Sequence, residues 1–600
     1  MGVLGVIDDL PLRQVLSGPT LLDALRAGAR VRADAAAGGQ LGAELLLEGF
    51  ADGDPLARLL LLSALARTGH PDADAVLCSA LEGPDRAERE HAAWALGDRG
   101  PLAEAGAGLQ ALRSQGGFGA MLAELTLDRW AELNLPPPLA RSAPRRSGLR
   151  IVQIYMPGYL DAGLQRAGAG DGGGLATLLV HLSAALADHP AVAQVTTLTR
   201  AFGGPGVPAV HGTLREPVTA RAAIERIRFG GDGYLGAPDL WPHRRELERE
   251  LEAALTRLAP IDAVHLRFAD VATLAAERVC RRLGLPVYFT LAPDPHGVIR
   301  GREASGELDR RSFVQADLAE HLIFRARLVE QMRDRSHGLA LLPRASGRAE
   351  LQTLVGLPAD PRRQRVRTVP EGISTAPVDR VGGAPAVQDL VDRVRSLPPA
   401  RHGRPLILSV GRLNAVKGFP TLVDAWAGDP ELRETFNLVI VGGDHERPTR
   451  QEQLVLGELS LAAGRHPAAA DGLLLIGHRP HRDVLALMAA ARAGVPGVIG
   501  PAGVYACASV KEEFGLALLE AMASGLSVLG PDSGGPPTYI DDGITGVLTD
   551  TGTVSGLREG LRRAGASRTD AERAAQATAK VREHFTIEAM ARGLVDLYTA

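Results

Sequence analysis

The chain has 600 residues, 45% of them hydrophobic and 23% charged, with a net charge of −4. That length exceeds what one core supports and asks for three or four domains. The near-balanced charge and the 4% aromatic content offer nothing for a phosphate backbone or for base stacking, so nucleic acid is excluded as a partner. Three scattered cysteines, Cys78, Cys280 and Cys507, in no metal-like spacing, fit a reducing cytosol. The first residues include Asp8 and Asp9 and no long apolar core, and no run of about 18 uncharged apolar residues occurs, so a cytoplasmic chain without a membrane span is expected. Ala, Gly and Arg dominate while Lys417, Lys511 and Lys580 are the only lysines, the bias of a GC-rich bacterial genome.

Residues 1–134 read as one short helix after another: Leu21–Ala29, Gln40–Glu48, Pro55–Ala66, Ala73–Leu81, Arg86–Leu96 and Leu102–Leu112. Each is Ala/Leu-rich and bounded by Gly, Asp or Pro. The stretch Asp85–Gly100, with His91 and Trp94, resembles a HEAT-type repeat. Helix pairs of that kind bury their apolar faces only against neighbours and form a solenoid, which offers a surface to a protein partner or to a second copy of the chain. A plain helical bundle packed on the next domain fits the same pattern. The Pro- and Arg-rich stretch 135–149 reads as a linker.

At residue 150 the pattern changes. Arg150–Tyr155 is a strand, Gly168–Gly174 a glycine-rich loop, Leu175–Leu186 an apolar helix and Val195–Leu198 a second strand. Strand, glycine-rich loop and helix make the phosphate-binding start of a Rossmann-like unit. Ala263–Leu266, Val271–Leu283, Pro286–Leu291, Leu318–Asp334 and Gly338–Leu342 continue as strand and helix in turn, which argues for a parallel sheet. The loop after Pro286–Leu291 carries Asp294 and His296 at a strand's carboxyl end, where such folds place ligands. Val366–Pro370 and Glu371-Gly372-Ile373 lead out of this unit, 150–378, into a Pro- and Gly-rich hinge, 379–404, with one helix in it.

Pro405–Val410 begins a second unit, 405–584. Arg412 and Lys417 follow its first strand, and a planar guanidinium beside a compact ammonium suits a diphosphate. Asn437–Val441 and Leu473–Ile476 are further strands, and Arg479 and His481 lie where a nucleotide base would approach. Ser509–Gly535 then gives Glu512, a Phe514-Gly515 turn, a helix Leu516–Ala523 that contains Glu520, a strand Leu526–Leu529 and a Gly534-Gly535 loop. The bare amides of that helix's N-terminus suit an anion, and a carboxylate one or two turns in accepts hydrogen bonds from ribose hydroxyls. The last stretch, 585–600, holds an amphipathic helix, Phe585–Tyr598.

Glu512, seven intervening residues and Glu520, with Phe514-Gly515 between them, resemble the E-x7-E signature of retaining GT-B glycosyltransferases of the family 4 type, although Glu513 stands where the signature has Gly. Gly411-Arg412 with Lys417-Gly418 is similar to that family's phosphate site, and Gly172-Gly173-Gly174 to the loop lining its active-site cleft. The resemblance implies an α/β GT-B fold, two facing Rossmann-like domains preceded by an all-α HEAT-like domain, with the 585–600 helix crossing back to the first. It implies hexosyl transfer from a nucleotide-sugar co-substrate, without metal or other cofactor, to a hydroxyl acceptor held by the 150–378 domain. Arg412 and Lys417 then meet the diphosphate, Glu512 the sugar and Glu520 the ribose, with Gly173, Gly174, Phe514, Gly515 and Leu516 around the donor. The family's histidine falls at Ala292 here, and His296 or Asp294 is the candidate to replace it. Gly442-Gly443-Asp444 and Ser533–Pro537 look more like the sucrose-phosphate synthase branch, which points to UDP-glucose. Two other readings stand beside this one: a GT-B phosphorylase or epimerase-like protein, the former with pyridoxal phosphate on a lysine, and a non-catalytic sugar-nucleotide-binding scaffold that recruits partners through its HEAT-like part. The acceptor stays open between a small metabolite, a natural-product aglycone, a glycan and a protein.

Overall fold

A computed structural model describes residues 9–133, 148–166, 173–292, 294–304, 306–344, 355–356, 365–375, 384–446, 448–510 and 512–600. Most of the 135–149 linker, Gly172 and Lys511 lie outside these residues.

Among the described residues, helices fill the chain from Asp9–Ser17 to Gly117–Glu132. Side-chain caps set several starts: Thr20 accepts from Asp23 N, Asp54 from Ala57 N with Pro55 in the first turn, and Asp85 from Glu88 N. The helix Gly117–Glu132 was not expected. It opens on Gly116 and Gly117, both at positive φ, which read as a breaker in sequence. The helical region is not a free solenoid. Leu59, Ala92 and Leu122 share one buried cluster with Val264, Leu274 and Phe324 of the following unit. Arg327 stacks its guanidinium 3.7 Å over Trp94, and His91 Nε2 lies 2.8 Å from Asp317 Oδ2.

That docking breaks the helix expected over Leu318–Asp334 into Phe313–Glu320 and Leu322–Arg335. His321 sits between them at φ 56°, its ring stacked on Phe118 at 3.4 Å. Asp317 accepts Ile323 N at 2.7 Å, so one carboxylate caps the second helix and ties it to His91. The cause is tertiary, with Phe118 and His91 both in the helical region.

The first sheet contains β1 (Leu149–Ile154), β2 (Val192–Arg200), β3 (Arg215–Pro217), β4 (Ala222–Ile227), β5 (Ala263–Leu266), β6 (Val287–Leu291), β7 (Gly338–Leu341) and β8 (Val366–Thr368), in the order β3-β4-β2-β1-β5-β6-β7-β8. All neighbours are parallel except β3 with β4. The second contains β9 (Leu406–Val410), β10 (Asn437–Val441), β11 (Leu473–Leu475), β12 (Val504–Ala506), β13 (Ser527–Pro531) and β14 (Val547–Thr549), ordered β11-β10-β9-β12-β13-β14 and parallel throughout. Strand order reverses at β1 and at β9. Loops leaving those two strands therefore flank the crevice in which such sheets bind ligands.

The described part of the expected hinge, 379–404, contains the one helix expected there, Pro385–Arg395. Its Leu390, Val391 and Val394 are buried in a core with Leu406 and Leu487 of the second sheet's unit. The crossing lies earlier. Ile373 N donates to Phe585 O at 2.9 Å and Ile587 N to Ile373 O at 2.9 Å, so the outgoing and returning strands of chain are tied together. Beyond this point the helix Ile587–Thr599 packs Met590, Leu594 and Leu597 against Leu178, Leu182 and Ile151 of the first unit.

Candidate active site

The crevice between the two sheets is a cleft of about 340 Å³. Gly173, Gly174 and Glu371 line it from the first unit, and Arg412, Lys417, Glu512, Phe514, Gly515, Leu516 and Glu520 from the second. Nine of the ten residues expected at the site, Gly173, Gly174, Arg412, Lys417, Glu512, Phe514, Gly515, Leu516 and Glu520, thus meet in one place.

Backbone geometry explains how. Gly418 has φ 62°, and a Cβ there would stand 2.1 Å from Ala508 O, so the Lys417 turn nests directly on the chain that leads to Glu512. Gly534 has φ 78°, with Glu512 O at 2.1 Å from its would-be Cβ, and Gly535 N donates to Glu512 O at 3.0 Å. The paired glycines let one loop lie flat against another. Gly515, at φ 95°, starts the Leu516–Ala523 helix, whose first amides face the cleft. Phe514 turns its ring inward, 5.4 Å from Tyr539 and 6.1 Å from Phe585, while its carbonyl accepts the Tyr539 hydroxyl at 2.5 Å. Across the cleft, a Cβ on Gly173 would stand 3.2 Å from Arg412 Nε, and one on Gly174 3.2 Å from Leu516 Cδ1. At these glycines side chains of the second unit lie against the backbone of the first.

Lys417 Nζ lies 2.6 Å from Glu512 Oε2, and Ser509 Oγ donates to the same oxygen at 2.9 Å. Burial pushes the Glu512 carboxyl up, but the Lys417 charge, with hydrogen bonds from Lys417, Ser509 and Cys507, outweighs it and holds Glu512 below the usual carboxylate range. Burial likewise pulls Lys417 down, and Glu512 more than restores it. Glu520 Oε1 pairs with His481 Nε2 at 2.7 Å. Burial lowers His481, and Glu520 raises it above its ordinary value. The His181 ring, on the Leu175–Asp188 helix, stands 5.7 Å from that of His481, and burial and then the His481 charge take it down to about 4. Arg479 also lines the cleft, where its Nη2 reaches Asp389 Oδ2 at 2.6 Å.

His296 does not reach the cleft, which corrects the expectation for this residue. It is buried, bonded to Asp294 at 3.1 Å, and lines a small cavity with Leu25, Leu59, His91 and Ile323 of the seam with the helical region. His296 lies in the first turn of a helix, Pro295–Ala304, that follows β6, and is buried there with Pro295, Gly297 and Ile299. Ala292 lines the cleft instead, and Asp294 lies 3.7 Å from Arg344, whose Nη2 in turn lies 3.3 Å from Glu513 Oε2. Glu371 lines the cleft without being an expected site residue, and Arg344 and His181 stand behind it, beside Glu513 and His481. Glu371 had a signal, its place in the Pro-x-Gly exit link, whereas nothing near His181 or Arg344 marks a site.

Residues 392–581 match the family described as glycosyl transferases group 1, and residues 43–116 match HEAT repeats. The sucrose-phosphate synthase of Spinacia oleracea is 27% identical over 464 residues, which is 65% of this chain and 42% of that protein. The chain spans between 18% and 42% of the length of the curated relatives it matches. Among solved structures, the sucrose-phosphate synthase of Thermosynechococcus elongatus superposes with a TM-score of 0.56 at 20% identity, over 75% of this chain and 98% of that one. The Anabaena protein HepE, in complex with UDP and glucose, gives 0.51 at 15% identity, over 75% of this chain and all of the other. The fold is GT-B, preceded by HEAT-like helices.

Proposed function

We propose, for a chain that carries a group 1 glycosyltransferase domain in a GT-B frame behind HEAT repeats, that it is a retaining, family 4 type glycosyltransferase using a nucleotide sugar. One observation carries this reading: Arg412 and Lys417, from the loop after β9, and Glu512, Glu520 and the N-terminus of the Leu516–Ala523 helix, from the segment after β12, converge on one cleft.

In this reading the diphosphate lies between Arg412, Lys417 and the helix amides. These preorganised donors meet the charge that grows on the leaving group, so no divalent metal is required. Glu520 accepts from the ribose hydroxyls and Glu512 from the sugar. The acceptor oxygen bonds to the anomeric carbon on the face the diphosphate leaves, the carbon–phosphate oxygen bond breaks, and the hydroxyl's proton departs with the diphosphate. No side chain acts as nucleophile. Contact of Gly173 and Gly174 with Arg412 and Leu516 keeps water from the donor. UDP-glucose is the favoured donor, supported by the sucrose-phosphate synthase relative and by the UDP and glucose of the Anabaena structure. The chain works as a cytoplasmic enzyme, and its helical region, docked on the first unit, is available to a protein partner or a second copy.

A thermal-shift panel of UDP, GDP, ADP and their sugar conjugates, on the wild type and on Glu520→Ala, tests this. A nucleotide at about 100 times its Kd adds roughly 2.7 kcal/mol of stability. UDP and UDP-glucose are expected to shift the wild type and not the variant. A folded wild type that responds to no sugar nucleotide ends the transferase reading.

A further inference from the structure

A cavity of about 1250 Å³ opens where the helical region docks on the first unit, and no residue that lines it lines the donor cleft. Ten arginines and four carboxylates line it. Part of that charge is matched within the protein: Glu132 and Glu248 hold Arg278, Glu277 holds Arg281 and Arg335, and Asp334 holds Arg333. The other six, Arg26, Arg30, Arg32, Arg67, Arg129 and Arg327, have only three carboxylates within 4 Å among the described residues, Asp23, Asp98 and Glu330. Arg30 and Arg67 are exposed and have no ion pair among those residues. Arg26 and Arg30 stand four apart on the Leu21–Asp34 helix, a spacing at which like charges repel. Burial lowers the Arg26 guanidinium, Asp23 raises it, and Arg300 and Arg30 lower it further. Arg327 is more crowded: burial, then the charge of Arg32, takes it down to about 9 against the pull of Asp98 and Glu330. Asp98 shows what this wall accepts, with Arg129 at 2.8 Å from one of its oxygens and Arg327 at 3.0 Å from the other.

Like charges gathered on a concave wall weaken the fold and concentrate positive potential in the cavity. Guanidinium groups meet phosphate oxygens in a fork geometry that an ammonium lacks. Six guanidinium groups against three carboxylates leave room for an anion of about three negative charges, more than a single phosphate or sulfate carries. The wall is built from both bodies, with the helices Leu21–Asp34 and Gly117–Glu132 on one side and Leu322–Arg335 on the other. We propose that this cavity binds a small molecule carrying clustered phosphate groups, which bridges the helical region and the first unit. A bilayer offers the same phosphates, but Arg32 and Arg327, with side chains 18% and 14% exposed, lie too deep for a flat surface. A long polyanion would run on over a chain whose net charge is −4 and meet repulsion there. The site stands whether or not the donor cleft takes a nucleotide.

The probe is tripolyphosphate, titrated calorimetrically into the full chain at about 0.15 M salt, where weak surface attraction is screened. Arg412→Gln is the reference protein, because it weakens the donor cleft as a competing anion site. It should bind one tripolyphosphate per chain, and Arg412→Gln/Arg30→Gln/Arg67→Gln should bind about tenfold more weakly or worse. Both added positions are exposed, so the triple variant should keep the Tm of its parent or gain slightly from the lost repulsion. Hydrogen exchange on the wild type locates the ligand without any substitution: tripolyphosphate should slow amides of Leu21–Asp34 and Leu322–Arg335. Protection confined to Leu516–Ala523 places the anion in the donor cleft and overturns the site. Equal affinity of the reference and triple variants overturns it too, as does a reference protein that binds no tripolyphosphate. The wild type is also expected to stay behind when vesicles containing phosphatidylglycerol are floated. Flotation that Arg30→Gln/Arg67→Gln abolishes would make this a membrane-binding face and overturn the small-molecule site.

Discussion

Lys417 Nζ and Glu512 Oε2 stand 2.6 Å apart, each carried by the loop that leaves one of two adjacent strands, β9 and β12. The cation proposed for the diphosphate and the carboxylate proposed for the sugar are thereby one unit. The pair joins two turns whose glycines, Gly418 and Gly534, already press backbone on backbone.

Removing one member should cost more than removing both. Breaking a buried pair leaves an uncompensated charge, and with Lys417 at 23% and Glu512 at 16% side-chain exposure the expected loss for Lys417→Met is about 1–3 kcal/mol. The double variant Lys417→Met/Glu512→Gln should recover most of it. Urea denaturation of Lys417→Met, Glu512→Gln, the double variant and the wild type measures the coupling, and additive losses would show that the two loops are held by something else.

Glu520→Gln removes the charge that raises His481 while leaving the burial that lowers it. The His481 titration, followed by NMR, should move down, below its ordinary value. A titration that stays in place would mean that Glu520 does not hold the proton on His481.

His181 and His481 give the fold opposite pH limbs. His181 titrates at about 4 when folded and at about 6.5 when unfolded. Below pH 6.5 the unfolded chain therefore binds a proton that the folded chain refuses, and this contribution to stability falls as pH falls towards 4, by at most about 1.4 kcal/mol per pH unit. His481 is raised, so its stabilisation is complete below the unfolded value and disappears as pH rises through its folded value. Glu371 at about 7 and Asp270 at about 6 act against His181, because they bind protons more readily when folded. Subtraction separates the two: the Tm difference between wild type and His181→Gln should change with pH on the acid side, and that for His481→Gln on the alkaline side with a smaller change on the acid side, because the His481 charge helps to lower His181. Parallel curves would contradict this assignment.

What the sequence made legible was whatever local chemistry decides. Val271–Leu283 keeps its expected bounds because Asp270 caps one end and Gly284, at φ 65°, closes the other. The Glu512 to Glu520 stretch is equally local, with loop, glycine, helix and strand supplied by consecutive residues. Charge concealed the rest. β4 reads as polar because Glu225 and Arg226 are buried in it, paired with Arg257 at 3.0 Å and Glu216 at 2.6 Å. The helix Arg244–Leu258 looks solvated, yet Arg244 is fully buried between Asp128 and Glu248. His296 was misplaced because its loop length said nothing of the helix that starts at Pro295.

The last helix, Ile587–Thr599, returns to the first unit through a polar tie inside an apolar contact. Tyr598 Oη hydrogen-bonds His265 Nδ1, His265 Nε2 lies 2.7 Å from Thr290 Oγ1, and the Tyr288 hydroxyl donates to Tyr598 O at 3.2 Å. His265 is fully buried, and burial, then the Arg267 charge, push it well below its ordinary value, so it is neutral and its ring nitrogens need partners. Tyr598→Phe takes one away and should cost about 1–3 kcal/mol, the usual penalty for a buried polar group left unpaired. Removing both partners, in Tyr598→Phe/His265→Leu, should cost less than the two single losses together, because no orphan nitrogen remains. Native-state hydrogen exchange locates the effect: amides of Leu594–Leu597 should exchange faster in Tyr598→Phe, while those of β9 and β10 keep their wild-type rates. Uniform acceleration would mean that the helix and the second sheet open as one unit, and the tie would then belong to the global fold rather than to the docking of this helix.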